Sequence, residues 1–117
     1  MIRLKRVYEV KSSKDGYRIL VERLWPRGVK KSALHLDEWL KNAAPSPALR
    51  QWFMHDPTKW DEFRSKYFAE LDANPAAWQS VVTVARRGPV TLLYSAHDVE
   101  HNNAVALKQY LDGKLRK

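Results

Sequence analysis

The chain has 117 residues, 44% of them apolar, and no cysteine, which suits one domain with a sizeable core and excludes disulfides, zinc-thiolate sites and thiol nucleophiles. No run approaches membrane-spanning length and no apolar segment follows the charged start Met1 to Arg6, so a cytoplasmic protein, neither secreted nor inserted, is expected. The formal charge of +8 favours anionic partners, and ten of the 21 Lys and Arg lie in residues 1–31, against only Glu9, Asp15 and Glu22.

Ile2 to Val10 mixes Ile2, Leu4, Val7 and Val10 with charged residues and reads as a strand. Tyr17 to Leu24, with Ile19, Leu20 and Val21 in succession, reads as a second, and the Asp15-Gly16 pair between them is a hairpin signal that would make the two antiparallel neighbours. The intervening segment is long enough to leave that pairing open. Asp37, Glu38, Trp39 and Leu40 suggest a short helix. Ser46-Pro47, Asp56-Pro57 and Asn74-Pro75 then each set an N-cap residue before a proline, which costs nothing at the first helical position. Behind Asp56, the residues Trp60, Phe63, Tyr67, Phe68 and Leu71 recur at helical spacing and leave Asp61, Glu62, Ser65, Lys66 and Glu70 for solvent. Ala76 to Arg87 predicts another helix, ended by Gly88-Pro89.

Val90 to Ala96 is a nearly continuous apolar run, the pattern of a central strand covered on both faces. A helix from about Val99 to Leu111 follows, with Ala104, Val105, Leu107, Tyr110 and Leu111 as its buried side and Asp98 as its cap. Residues 1–117 therefore predict a single α/β domain, a small three-layer sandwich. Its short, mostly parallel sheet of roughly three or four strands would be covered by about five helices.

In such sheets ligands bind beyond the carboxyl ends of the strands, and two unusual clusters lie there. The first is Arg23-Leu24-Trp25-Pro26-Arg27-Gly28. If residues 17–25 stay extended, Arg23 and Trp25 share a face, and Arg27 returns after Pro26 breaks the ladder. Arginine offers a fork to phosphate or carboxylate, and tryptophan a flat surface for a base. The competing reading makes Trp25 a core anchor and pairs the arginines with Glu22, Asp37 or Glu38.

The second cluster is His97-Asp98-Val99-Glu100-His101-Asn102-Asn103. Each asparagine costs a helix roughly half a kcal/mol relative to alanine, so something other than propensity selects Asn102 and Asn103. They suit either polar ligand recognition or hydrogen bonds that tie the loop together. His101, with Asp98, is the candidate for proton transfer. His55-Asp56 is no dyad by adjacency, and Asp56 reads as a cap. His35, His55, His97 and His101 lack metal-ligand spacing, so no metal is assigned. There is no G-x-G-x-x-G, P-loop or G-x-S-x-G, and no cofactor follows from the sequence.

With both clusters in view, the chain resembles the small bacterial YeaO-like family, classed as a domain of unknown function. The resemblance rests on Asp15 to Gly28, Ala44-Pro45-Ser46, Leu49 to Phe53, His55-Asp56-Pro57, and Leu92 to Ala96 with Asp98, His101, Asn102, Asn103 and Ala104. It implies an α/β fold with no established activity. Longer, more distant relatives carry a Cys-His pair where this chain has Asn102 and Asn103, so the resemblance does not bring thiol chemistry with it.

Three functions are compatible with these residues. In the leading one, a small anionic, nucleotide-like or phosphorylated ligand binds at the strand ends, in a binding protein or an enzyme. Arg23 and Arg27 hold the charge, Trp25 stacks, and Asp98, His101, Asn102 and Asn103 orient the polar part. The second is a basic nucleic-acid-binding module. The third is a structural or interaction domain, marked by an exposed patch around Trp39, Trp52 or Trp60. No membrane partner is expected, and the sequence does not set an oligomeric state.

Overall fold

The computed structural model describes residues 1–116. Its sheet contains β1 (Ile2–Arg6), β2 (Tyr17–Leu20), β3 (Glu38–Trp39) and β4 (Val90–Tyr94), in the order β1-β4-β2-β3. Every neighbouring pair is parallel. β4 lies between β1 and β2, with Ile2 opposite Val90 on one side and Tyr17 opposite Val90 on the other. All five β4 residues are buried. The continuous apolar run thus belongs to a strand covered on both faces, as the sequence predicts.

Side chains alternate across the sheet. Ile2, Ile19, Val90, Leu92 and Tyr94 join the larger core with α2 (Pro47–Phe53), α3 (Trp60–Ala73), α4 (Gln79–Ala85) and α5 (Asn103–Leu115). Leu20 and Leu93 join a smaller core with Val7, Trp25, Trp39 and Leu34, the last from the single-turn α1 (Lys31–Leu34). The result is a three-layer α/β sandwich with five α-helices among the described residues. None of these helices is long and apolar enough to cross a membrane.

The Asp15-Gly16 pair does not close a hairpin, because β4 separates β1 from β2 and runs parallel to both. Asp15 instead ends a 3-10 turn (Ser13–Asp15) in a capping box with Ser12. Gly16 has φ +66°, and a Cβ there would lie 2.2 Å from the Pro89 carbonyl oxygen, which accepts the Tyr17 N–H at 3.0 Å. The glycine therefore permits the close approach at which β2 meets the start of β4.

Behind that turn, Arg18 is 2% exposed. Its guanidinium donates to the Asp15 carboxylate, to the Leu34 carbonyl at 2.8 Å and to the His35 carbonyl at 3.1 Å. Lys5 reaches Asp15 at 2.9 Å, and Thr91 Oγ1 donates to the Asp15 carbonyl at 2.7 Å. A buried charge is tolerated only when it is hydrogen-bonded, and here Asp15 and the Leu34 and His35 carbonyls serve Arg18 while Lys5 and Thr91 hold Asp15 in place.

Other elements depart from the sequence expectations for local reasons. Asp37 to Leu40 is no helix: Asp37 N–H and Leu40 N–H donate to the carbonyls of Arg18 and Leu20, which makes Glu38–Trp39 an edge strand. The first two strands end earlier, at Arg6 and Leu20. The predicted helix over 76–87 is a 3-10 turn (Pro75–Ala77) followed by α4, broken at Trp78, and Asn74 makes no side-chain cap. Ser46 does cap α2, accepting the Leu49 N–H at 3.1 Å, and Asp56 caps the 3-10 turn (Pro57–Lys59) that leads into α3. Along α3, Phe63, Tyr67 and Leu71 are buried, but Glu70 does not face solvent: it accepts from Ser46 N–H and Oγ at 2.9 and 2.6 Å.

Two glycine substitutions separate close approach from helix propensity. Gly16→Ala is expected to destabilise the fold by about 2–4 kcal/mol through the Pro89 clash and the positive φ. Gly113→Ala, in α5 with no neighbour within 4 Å of a new Cβ, is expected to stabilise by about 0.5–1 kcal/mol. Urea denaturation of the two variants measures both.

Candidate functional site

The chain just beyond β2 and β4 is tied together at their carboxyl ends. Glu22, two residues past β2, accepts Ser95 N–H at 3.1 Å and Ser95 Oγ–H at 2.8 Å. Asn103, the first residue of α5, donates through Nδ2 to the Val21 carbonyl at 2.9 Å. Arg6 donates to the carbonyls of Ser95 and Ala96 at 3.1 and 3.0 Å. These bonds hold three chain segments in register where the ladder stops, and a cavity of about 590 Å³ opens above them.

The cavity is lined by Arg23, Trp25 and Arg27 from the first cluster and by Asn102 and Asn103 from the second. Five of the seven sequence-derived site residues therefore surround one space. Asp98 and His101 do not line it. The His101 ring meets Asp98 Oδ2 at 2.9 Å and packs edge-on against Trp60, with centroids 5.3 Å apart.

Asp98 is not the cap of α5. Its Oδ1 accepts the N–H groups of Glu100 and His101 at 2.9 and 3.0 Å and closes the preceding loop, so the helix starts later than Val99. Asn102 is the cap, accepting the Val105 N–H at 3.0 Å and donating to the Asp98 carbonyl at 2.9 Å. At 2% exposure, its functional groups are engaged inside the protein. Asn103 is different, since its Nδ2 is used and its Oδ1 receives no hydrogen bond among the described residues.

Trp25 is a core anchor at the edge of the cavity. Its Nε1–H donates to the Val29 carbonyl at 2.6 Å, and its ring meets Trp39 edge-on at 5.3 Å. The arginines do not pair with Glu22, Asp37 or Glu38. Arg23 donates at 3.4 and 3.3 Å to the carbonyls of Ala44 and Pro45, and its Nε is buried without a partner among the described residues. That stretch is fixed by α3: buried Tyr67 donates to the Ala43 carbonyl, and Glu70 holds Ser46. Burial pushes the Tyr67 phenol up and keeps it a neutral donor.

Arg50, Gln51 and His55 also line the cavity, and the sequence reading missed Arg50 altogether. Pro47, Arg50 and Phe53 lie at three-residue spacing on α2, all three border the cavity, and that spacing was the available signal. After α2 the chain turns through Met54 and His55, both left-handed at φ 46° and 55°, which brings His55 to the rim. Arg27 and Arg50 are exposed and donate no side-chain hydrogen bond among the described residues. None of the three cavity arginines has a carboxylate within 4.0 Å there. Phe53, Phe63, Pro45 and Pro47 supply apolar wall.

The tryptophans proposed as an interaction patch are half-buried. Trp39 packs on the smaller core, Trp52 and Trp60 on the larger, and Lys41 and Lys59 stack over Trp39 and Trp52 at 4.1 and 5.1 Å. Among the described residues no three His, Cys, Asp or Glu side chains cluster to hold a metal.

The family described as "Inactive DUF488-N3 subclade" matches residues 1–117. The chain is 44% identical over 110 residues to "Uncharacterized protein YeaO" of Escherichia coli (strain K12), covering 94% of this chain and 96% of that protein. It is 38% identical over 113 residues to "Uncharacterized protein Rv3073c" of Mycobacterium tuberculosis (strain ATCC 25618 / H37Rv), covering 97% and 95% of the two chains. No solved structure matches it.

The Asp98 loop has a defined response to acid. The N–H of Glu100 and the bonds from His101 outweigh burial and hold the Asp98 carboxyl below its ordinary 3.8. A depressed carboxyl stabilises the folded loop above that ordinary value and ceases to do so as pH falls through the lowered one. An NMR titration following the Asp98 carboxyl and the Glu100 amide is expected to show both moving together below pH 3.8, and Asp98→Asn is expected to abolish the amide response.

Proposed function

The chain belongs to the inactive DUF488-N3 subclade, and from that premise we propose that it binds a small anionic, phosphate-bearing ligand at the carboxyl ends of β2 and β4 without transforming it. The observation that carries this reading is the set of three arginines lining one cavity, none with a carboxylate within 4.0 Å among the described residues. Arginine holds oxyanions through paired N–H donors, and a guanidinium with free donors beside apolar walls gains most from an anion that replaces water. The volume of about 590 Å³ suits a metabolite or mononucleotide.

Binding without turnover is supported by where the two sequence-derived proton-transfer candidates sit, and His55 at the rim is the remaining imidazole of the cavity. Asp98 and His101 pair with each other outside the cavity lining, and a general acid or base must come within hydrogen-bond reach of the group it serves. The resemblance sets Asn102 and Asn103 where more distant relatives carry a Cys-His pair, and an amide is no nucleophile. The description of the family as inactive agrees with that chemistry.

The positive charge by itself favours nucleic acid less than the composition suggests. Arg18 is buried, Lys5 is paired with Asp15, and Arg6 and Arg23 bond to backbone carbonyls, so four of the N-terminal cations already have internal partners. Phosphate contacts along a duplex require cations with free donors on one face.

A thermal-shift titration with inorganic phosphate and with nucleoside monophosphates tests the reading. At ten times Kd the ligand is expected to stabilise the protein by about 1.4 kcal/mol, raising Tm by roughly 5 °C. Arg27→Ala and Arg50→Ala, both at exposed positions, are expected to weaken binding about tenfold each while leaving the unliganded Tm within about 2 °C. Binding that survives both substitutions would place the anion elsewhere. Binding only to long nucleic acid, falling steeply with salt, would favour the nucleic-acid module instead.

A further inference from the structure

The cavity wall includes acceptor groups that an anion alone leaves unused. Glu22 lines it, partly buried, and its carboxylate accepts only from Ser95 N–H and Ser95 Oγ–H among the described residues. Two protons fill about half of the roughly four acceptor positions of a carboxylate. Although Arg23, Arg27 and Arg50 line the same cavity, none lies within 4.0 Å of Glu22. The carboxylate is therefore not their counter-ion. Asn103 adds a second acceptor, because its Nδ2 is committed to the Val21 carbonyl and only Oδ1 is available.

A cavity for a simple oxyanion has no use for a fixed negative charge, which would repel the ligand. Donors from Arg27 and Arg50 together with acceptors from Glu22 and Asn103 suit a ligand with an oxyanion at one end and N–H donors at the other. The apolar wall supplied by Phe53, Phe63, Pro45 and Pro47 suits a flat body carrying both groups. Resting on the anion-pocket reading above, we propose that the occupant is a nucleoside monophosphate whose base carries an exocyclic amino group. Arg27 and Arg50 hold the phosphate, and Glu22 with Asn103 Oδ1 accepts the amino protons. An oxo group at the same place would set a carbonyl oxygen against a carboxylate, and a site built to accept from N–H rejects a base that offers another acceptor.

Isothermal titration of the whole chain with inorganic phosphate, ribose 5-phosphate, and the pairs AMP and IMP, CMP and UMP tests this. In each pair the members differ by amino against oxo on the same ring. The native protein is expected to bind the amino member of at least one pair about tenfold more tightly, equivalent to about 1.4 kcal/mol. Glu22→Gln keeps an oxygen to accept from Ser95 and turns an amide N–H toward the base. It is expected to bring that ratio within about threefold while strengthening phosphate binding, because a negative charge leaves the cavity. Phosphate binding with no amino preference in either pair would overturn this inference and leave the anion pocket standing. No binding of phosphate or any nucleotide would overturn both. An amino preference undiminished in Glu22→Gln would overturn the assignment to Glu22.

Discussion

The insertion of β4 between β1 and β2 is the constraint on which the rest of the molecule depends. The two N-terminal strands cannot form a sheet with each other in this order, so the sheet exists only when Val90–Tyr94 arrives from the far end of the chain. Parallel pairing on both sides then sets the carboxyl ends of β2 and β4 next to each other. The segments that leave those two ends must therefore meet. Glu22 bonds to Ser95, Asn103 reaches Val21, and Arg6 takes the carbonyls of Ser95 and Ala96. The cavity above them is a consequence of strand order before it is a consequence of any side chain. Such non-local pairing also ties the formation of the site to that of the whole sheet.

Charge is divided between the two ends of that sheet by burial. Near the start of β2, Arg18 is enclosed by Asp15 and two carbonyls, and Lys5 joins the same carboxylate. Burial pushes the Asp15 carboxyl up, and the Ser12 N–H, Lys5 and Arg18 outweigh it and hold the group below 3.8. Those cations are structural. At the other end Arg27 and Arg50 stand at the surface with no carboxylate within 4.0 Å among the described residues, and Arg23 is braced by carbonyls of a segment that α3 fixes through Tyr67 and Glu70. The same residue type closes the fold at one end and leaves donors unused at the other. The net charge of +8 records the sum of the two and distinguishes neither.

The central strand and the helix caps at Ser46 and Asp56 are legible in the sequence because each depends on residues adjacent in the chain. The three-layer α/β class follows from their order. Strand pairing is not local, and there the sequence leaves the pairing open: Asp15-Gly16 carries a hairpin signal, while its glycine serves a contact with Pro89, more than seventy positions away. Asp37 to Leu40 has helical composition, yet hydrogen bonds to Arg18 and Leu20 make it an edge strand. For the site, Arg23, Trp25, Arg27, Asn102 and Asn103 could be selected because they are odd where they stand. Asp98 and His101 looked equally odd, and their oddity belongs to a loop that bonds to itself. Nothing local singles out Arg50, Glu22 stands out only as a pairing partner for the arginines, and the meeting of α2 with the strand ends makes them neighbours of one cavity.

The central claim is that the arginines beyond β2 and on α2 form one anion site at the strand ends. Arginine side-chain NMR tests it most directly, by following the Nε–H signals of Arg23, Arg27 and Arg50 with the backbone amides during titration with inorganic phosphate. Saturable shifts of all three arginines with a common Kd, accompanied by Ser95 and Asn103, are the predicted result. Shifts confined to Lys11, Lys30, Lys31 and the C-terminal lysines, with the three arginines unmoved, would contradict it.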